Sequence, residues 1–388
     1  MSKTEEAGTV ALVDRILSRG VADRASDIHI EPRPDEVRVR FRIDGILVER
    51  PSFPIGYRQS VASRLKVMAR LDIAERRLPQ DGAFRLRIDD EELDVRLSTF
   101  PTEYGEKVVL RLLLQERTRP GLDGLGMSKE LAARMRHHST QAHGLLLVTG
   151  PTGSGKTSTL YAMLQESDGR SRNIVTLEDP IEYRFEDVIQ AQTNPRIGFD
   201  FARGLRSMLR QDPDVIMVGE MRDAETADIA FKASLTGHLV LSTLHTNSAI
   251  ETFVRLFDMG LERYVVAAAL NGMVAQRLVR TLCTACRTEV SSDEVATKLL
   301  REHDITEATL FEATGCDSCN GTGYVGRTGI FELIEADDQL KDLVKSEATT
   351  RVELSDFLDG RGYQGLRKAA VEQAAAGITT ISEVLRVT

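Results

Sequence analysis

Short segments with alternating apolar and polar residues fill most of the first 115 positions of the chain. This alternation predicts five half-buried strands, at 27–30, 37–43, 83–88, 93–97 and 107–114. Apolar residues at helical spacing predict helices at 10–17 and 57–69. Gly45 and Gly82 each follow an aspartate, which indicates two hairpin turns. The sequence therefore predicts a small N-terminal α/β domain, residues 1–116, followed by a linker containing proline and glycine, residues 117–126.

Continuous apolar runs replace this alternation from residue 144 onward. Four of them predict buried strands, at 145–148, 174–177, 215–218 and 239–243. Helical patterns lie between and after these runs, at 156–165, 201–210, 224–234 and 248–257. Such alternation is typical of an α/β fold with a mostly parallel sheet covered on both faces. Beyond residue 280 a cysteine-containing segment interrupts the pattern, and helices are predicted from there to the end.

The overall composition narrows the class of protein. The chain has 388 residues and a formal net charge of −9, which argues weakly against a nucleic-acid coat. A transmembrane helix needs about 20 consecutive apolar residues. The longest weakly polar stretch, 264–275, is shorter and contains Asn271 and Gly272. With no signal-peptide pattern at the start, we expect a cytoplasmic protein whose membrane contact, if any, comes through partners.

The segment 150–157, Gly-Pro-Thr-Gly-Ser-Gly-Lys-Thr, matches the complete P-loop pattern and lies between a predicted strand and a predicted helix. Its glycines allow successive backbone N–H groups to face a phosphate, and the helix N-terminus adds partial positive charge. Lys156 is predicted to reach the β- and γ-phosphates of ATP, and the Thr157 hydroxyl to bind Mg²⁺. The predicted nucleotide contacts in this loop are Gly150, Pro151, Thr152, Gly153, Ser154, Gly155, Lys156, Thr157 and Ser158.

Acidic residues follow two of the predicted buried strands, at the sheet edge where the P-loop is expected. Glu220 is predicted to act as the general base or to position the attacking water. One of Glu178, Asp179 and Glu182 could polarise that water or hold Mg²⁺ through water. The alternative for Glu220 is an ordinary charged residue at the end of a strand. The alternative for the other three is a set of solvated acidic residues in a turn.

Two histidines and four cysteines are further candidates for a functional role. His238 and His245 bracket the predicted strand 239–243 and could sense the γ-phosphate, or could be structural. The cysteines form two C-x-x-C pairs separated by 29 residues, a spacing that suggests a closed structural Zn²⁺ site more than disulfides. Four unrelated reduced thiols and a redox site are the alternatives. The predicted ligands are Cys283, Cys286, Cys316 and Cys319.

Five motifs in fixed order resemble the secretion ATPase superfamily: 150–157, 177–183, 201–214, 218–223 and 236–247. Within it the chain looks like the type II secretion ATPases and, slightly less, like the type IV pilus assembly ATPases. The resemblance implies a RecA-like P-loop core at 127–280, a zinc-binding element with four cysteines at 281–330 and a C-terminal helical region at 331–388. It makes 150–157 the Walker A loop and Glu220 part of the Walker B motif. Glu178, Asp179 and Glu182 fall in its aspartate box, and both histidines in its histidine box.

The resemblance also implies a homo-hexamer in which the N-terminal domain docks beside the nucleotide. An arginine supplied across an interface can stabilise the charge of a transferring phosphoryl group. Arg96 and Arg111 are therefore candidate catalytic residues on the N-terminal domain. On the larger domain Arg206, Arg210 and Arg222 are candidate nucleotide contacts, together with Arg255.

The expected function is ATP hydrolysis by a cytoplasmic motor subunit that drives type II protein secretion through an inner-membrane platform. Type IV pilus assembly is the alternative within the superfamily. A nucleic-acid motor is a different reading, which the acidic balance and the absence of tryptophan disfavour. A nucleotide switch without hydrolysis is another, which Glu220 and Glu178 disfavour. ATP, Mg²⁺ and Zn²⁺ are the expected ligands.

Overall fold

The computed structural model describes residues 3–88, 91–114 and 120–388. The chain divides into two compact units, Met1–Thr118 and Arg119–Thr388. Residues 117–119 of the predicted linker lie outside the described residues, and its later part contains a short 3₁₀ turn, Leu122–Leu125. Within the described ranges, no helix is both long and apolar enough to cross a bilayer.

The N-terminal unit is a six-stranded antiparallel sheet with strand order β3-β2-β1-β6-β5-β4. Alternate residues of its strands are buried, as along β2, where Val37, Val39 and Phe41 enter the core. The elements are α1 (Lys3–Ala22), β1 (Asp27–Pro32), β2 (Glu36–Ile43), β3 (Ile46–Pro54), α2 (Arg58–Met68), β4 (Gln80–Ile88), β5 (Glu91–Thr102) and β6 (Gly105–Leu114).

The structure confirms the five predicted strands and both helices of this unit. The predicted turn at Gly45 is also confirmed, because Asp44 and Gly45 have φ values of +48° and +86° between β2 and β3. The predicted turn at Gly82 is wrong. Gly82 lies inside β4, opposite Leu97, where a Cβ would stand only 3.0 Å from the Leu71 side chain. A glycine at position 82 therefore allows close packing and does not reverse the chain.

The larger unit contains a seven-stranded sheet of order β15-β12-β7-β11-β10-β8-β9. All neighbouring strands are parallel except β12 and β15. The elements are α3 (Lys129–Ser139), β7 (Gly144–Thr149), α4 (Lys156–Glu166), β8 (Ile174–Glu178), β9 (Ile189–Gln192), α5 (Phe201–Met208), β10 (Val215–Val218), α6 (Ala224–Leu235), β11 (Leu239–Leu244), α7 (Ala249–Asp258), α8 (Arg263–Ala269), β12 (Leu270–Leu282), β13 (Arg287–Val290), α9 (Glu294–Glu302), β14 (Leu310–Ala313), β15 (Tyr324–Glu335), α10 (Asp338–Lys345), α11 (Arg351–Asp359), α12 (Leu366–Ala375) and α13 (Ile381–Val387).

Two separate hydrophobic clusters cover the two faces of this sheet. Consecutive residues of one strand enter opposite clusters, as Leu145 and Leu146 do in β7. Burial on both faces explains the continuous apolar runs, and all four predicted strands and all four predicted helices are confirmed.

The prediction that only helices follow the cysteine segment is wrong, because β15 returns to the sheet and pairs with β12. The order β7-β11-β10-β8 brings the carboxyl ends of these strands to one edge.

Candidate functional site

The P-loop joins β7 to α4 in a conformation that only glycine adopts readily. Gly150, Gly153 and Gly155 have φ values of +150°, +80° and +87°. A Cβ on Gly150 would lie 2.5 Å from Ser154 Oγ, so a larger residue does not fit there. Gly155 caps α4 without a side-chain hydrogen bond, which leaves the first N–H groups of the helix available for an anion. The Ser154 hydroxyl is buried and has no hydrogen-bond partner among the described residues.

The ammonium group of Lys156 is held inside this loop. Its Nζ donates to the carbonyl oxygens of Gly150 at 2.8 Å and Pro151 at 3.1 Å. Burial lowers the pKa of Lys156 to about 8, against an upward effect of the Glu220 carboxylate and with a further lowering by the Arg277 guanidinium. Among the described contacts, the hydrogen bonds of this buried cation go to neutral carbonyl oxygens, so a bound polyphosphate would supply negative charge at close range. Helix N-terminus, glycines, buried hydroxyl and lysine together fit a nucleotide phosphate group.

Two residues of β12, Gln276 and Arg277, complete the surroundings of the loop, and the sequence did not single them out. Gln276 bonds the loop through Ser154 O at 2.6 Å. Arg277 donates to Asn247 O at 2.7 Å, and burial lowers its pKa. No local motif marks these residues, since β12 was not predicted and its place beside β7 is a property of the tertiary fold.

Glu220 lies just beyond β10, at the same edge of the sheet. The preceding turn is fixed because the Thr243 hydroxyl donates to Gly219 O at 2.7 Å. The Glu220 side chain is 15% exposed, forms an ion pair with Arg222 and lies 3.3 Å from His245 Nε2. The hydrogen bond to Glu220 raises the pKa of Arg222. The structure therefore brings three of the candidate residues together, with one carboxylate between two cationic or protonatable partners.

Glu178 lies at the end of β8 and has a different environment. It is 2% exposed, and one carboxylate oxygen accepts hydrogen bonds from Thr176 at 2.6 Å and Gln190 at 2.9 Å. The other oxygen accepts from the Tyr161 hydroxyl, whose pKa is raised by burial and by this carboxylate. The backbone N–H of Glu182 donates to the same hydroxyl at 3.1 Å. Glu178 thus anchors the aspartate-box turn to α4, and its predicted role in handling water stays a prediction.

The two candidate histidines lie at opposite ends of β11. His245 follows the carboxyl end of the strand and reaches Glu220, as described above. His238 precedes the amino end, where its backbone carbonyl bonds the first residue of β7, Gly144. Its ring Nδ1 lies 2.9 Å from Ala233 O. Within one chain His238 is therefore not brought to the P-loop, and the structure separates a pair that the sequence grouped.

The remaining candidate arginines make local contacts. Arg206 on α5 pairs with Glu225, and Arg210 donates to Arg206 O at 2.8 Å. Arg255 lies in the last turn of α7. In the N-terminal unit Arg96 of β5 lies opposite Arg111 of β6. The Arg111 guanidinium is 3.0 Å from Asp27 and more than half exposed.

The four cysteines form one compact cluster whose Sγ atoms all lie within 4.8 Å of one another. The Sγ atom of Cys283 is 4.0 Å from that of Cys316, and the Sγ atom of Cys319 is 3.8 Å from those of both Cys286 and Cys316. Tetrahedral zinc with bonds of about 2.3 Å requires sulfur atoms about 3.8 Å apart. Burial opposes ionisation of the Cys319 thiol. The backbone N–H groups of Cys316 and Gly323 donate to its Sγ and help to lower its pKa to about 6. The cluster fits a structural Zn²⁺ ion.

Comparison with known proteins agrees with this geometry. The family described as "Type II/IV secretion system protein" matches residues 2–386. Type II secretion system protein E of Pseudomonas aeruginosa is 48% identical over 388 residues, 100% of this chain and 77% of that protein. Type II secretion system ATPase E of Vibrio cholerae is 47% identical over 390 residues, with 100% and 77% covered. Type IV pilus assembly ATPase PilB of Thermus thermophilus is 44% identical, over 98% of this chain and 43% of that protein.

Two solved structures share the fold. The Legionella pneumophila ATPase DotB superposes with a TM-score of 0.72 at 21% identity, over 97% of this chain and 95% of that chain. The pilus retraction motor PilT, solved with bound ADP, superposes with a TM-score of 0.61 at 25% identity, over 96% of each chain. The fold is thus the mixed α/β fold of secretion ATPases. The chain belongs to the type II/IV secretion system protein family and, within it, to the type II secretion proteins E.

Proposed function

We propose that this chain hydrolyses ATP to ADP and phosphate. The observation that carries the proposal is geometric: the carbonyl oxygens of Gly150 and Pro151 hold the Lys156 ammonium inside the P-loop, and Glu220 follows β10 at the same edge of the sheet. A phosphate-binding cation and a candidate base for water thus share one small site. The name of the Vibrio cholerae relative, an ATPase, supports the same activity.

In the proposed reaction the loop 150–157 and Lys156 hold the phosphates, and the Thr157 hydroxyl is the candidate Mg²⁺ ligand. When bound, the metal ion would neutralise charge on the phosphate oxygens. Glu220 accepts a proton from water as the water oxygen bonds to the γ-phosphorus and the bond to the β–γ bridging oxygen breaks. Arg222 and His245 keep the Glu220 carboxylate in place. ADP, phosphate and one proton are the products.

Assembly and localisation follow from family membership and are proposed on that basis. We propose a homo-hexamer on the cytoplasmic side of the inner membrane, attached through platform and docking proteins rather than by direct insertion. Arg96, Arg111, Arg206 and Arg210 are proposed to act across subunit interfaces, where a guanidinium would meet a neighbour's nucleotide. The cysteine cluster is proposed to hold Zn²⁺ as a structural ion.

The substitution Glu220→Gln tests the proposed hydrolysis. It keeps the shape of the side chain but removes its basicity, so we expect turnover to fall by about 10²–10⁴-fold. The Kd of a non-hydrolysable ATP analogue should change little. Asp228→Asn is the matched control, because Asp228 is a half-buried α6 carboxylate bound only to Lys232 in the described contacts. Unchanged turnover in the Glu220 variant would refute the assignment.

A second experiment tests the motor role. A strain that lacks its own protein E should recover secretion with the native sequence and not with the Glu220 variant. Recovery of pilus assembly in place of secretion would favour the pilus alternative, for which the PilB similarity is the supporting observation.

A further inference from the structure

Strand β12 extends past the end of β7 and forms a wall beside the P-loop. In the parallel pairing of the two strands, Ala275 is the partner of Thr149, the last residue of β7. Gln276 is therefore the first residue of β12 that faces the loop rather than a neighbouring strand on that side. It is only 1% exposed. A polar side chain this deeply buried needs hydrogen-bond partners.

The Gln276 amide finds those partners in the loop and in the helix that follows it. Its Nε2 donates to Ser154 O at 2.6 Å, and its Oε1 accepts from the Thr159 hydroxyl at 2.7 Å. The orientation of the amide is fixed, because a backbone carbonyl can only accept. One side chain thus ties the phosphate loop and the first turns of α4 to β12.

The loop also packs closely against this residue. A Cβ on Gly150 would lie 2.6 Å from the Gln276 carbonyl oxygen, and a Cβ on Gly155 would lie 2.9 Å from Nε2. The first and last glycines of the loop therefore leave room for Gln276 as well as for a phosphate. A loop this rich in glycine gains little rigidity from its own chain, so an external contact must supply it.

We propose that Gln276 is a positioning residue that holds the P-loop in its phosphate-binding conformation. The proposal rests on the proposed nucleotide site and extends it to a residue that would not touch the nucleotide itself. Pre-organisation lowers the entropic cost of binding, so the loss of this contact weakens nucleotide affinity more than it slows chemistry. A merely structural glutamine would instead change stability and leave affinity alone.

The test uses the full chain with Gln276→Met, which keeps the volume but removes both hydrogen bonds. We expect the Kd of a non-hydrolysable ATP analogue and the KM for ATP to rise about tenfold, with kcat within about threefold of the native value. Val279→Ala is the control on the same strand, because Val279 is fully buried, belongs to a hydrophobic core cluster and pairs with Thr328 of β15. It should lower the melting temperature and leave the Kd unchanged.

Thr159 supplies a second pair of variants. Thr159→Val removes only the donor to Gln276 Oε1 and should weaken binding by a smaller factor, whereas Thr159→Ser keeps the hydroxyl and should restore native affinity. The proposal is overturned if Gln276→Met binds the analogue with native affinity. It is also overturned if Val279→Ala and Gln276→Met lower the melting temperature equally and weaken binding equally. Should Gln276→Met not fold, the Thr159 pair decides the matter. If the native chain itself binds no nucleotide, the proposed function fails, and that outcome is separate from a failure of this contact alone.

Discussion

Nucleotide binding should take up a proton above neutral pH, and Lys156 is the source of this effect. The Lys156 residue is 8% exposed, and burial lowers its pKa to about 8. A bound polyphosphate favours the protonated form, so the pKa rises on binding. At pH 7 and below, most of the lysine already carries its proton and affinity changes little with pH. Above pH 8 the free site is neutral, a proton must be taken up, and affinity falls as pH rises.

The size of the effect follows from the pKa. With a free-site pKa of about 8, binding takes up about 0.1 proton at pH 7, about 0.5 at pH 8 and about 0.9 at pH 9. The same fractions make the Kd about tenfold weaker at pH 9 than at pH 7. A lysine with an ordinary pKa would take up almost no proton over this range.

Isothermal titration calorimetry measures this uptake directly. A non-hydrolysable ATP analogue with Mg²⁺ is titrated at each pH in two buffers of different ionisation enthalpy, and the slope of observed enthalpy gives the number of protons. The variant Arg277→Gln removes a nearby positive charge, so it should raise the pKa of Lys156 and reduce the uptake at pH 8. Equal Kd values at pH 7 and pH 9 with no proton uptake in the native chain would refute the reasoning.

Three further predictions concern the metal cluster and the stability of the larger unit. Cys286→Ser should lower the zinc content measured by atomic absorption from about one ion per chain to none, because a closed site needs all of its thiolates; full zinc content in the variant would contradict the site. Tyr161→Phe should lower the free energy of unfolding, measured with denaturant, by about 1–3 kcal/mol, since it removes the hydroxyl that donates to Oε2 of the buried Glu178. Burial opposes ionisation of Glu383, but hydrogen bonds from Arg280 and Arg386 lower its pKa to about 2. The ionised carboxylate therefore stabilises the fold at pH values above the pKa of the unfolded chain, and this stabilisation is lost as the pH falls towards 2. Glu383→Gln should remove about 2 kcal/mol of this acid dependence, seen by comparing the unfolding free energy at pH 7 and pH 3.

Local sequence was enough to predict the phosphate loop and most of the sheet that supports it. The strand, glycine and lysine pattern around 150–157 indicates a phosphate site by itself, because its glycines let consecutive N–H groups turn towards a phosphate at the start of a helix. Burial on both faces makes the parallel strands continuous apolar runs, which are visible without knowledge of their partners. The cysteine pairs likewise indicated their cluster by spacing alone.

Other features of the site depend on which strands are neighbours, and the sequence does not record this. Gln276 and Arg277 reach the loop only because β12 inserts beside β7 and runs past its end. His238 and His245 look equivalent in sequence, yet the direction of β11 sends them to opposite edges. Gly82 resembled a turn because an aspartate precedes it, but it lies within β4, where the close approach of Leu71 and Ala69 favours a glycine. The sequence thus determined the features that a local stretch of backbone can encode, such as the phosphate loop. The tertiary structure decided which distant side chains contact that loop, since those contacts depend on the order and direction of the strands.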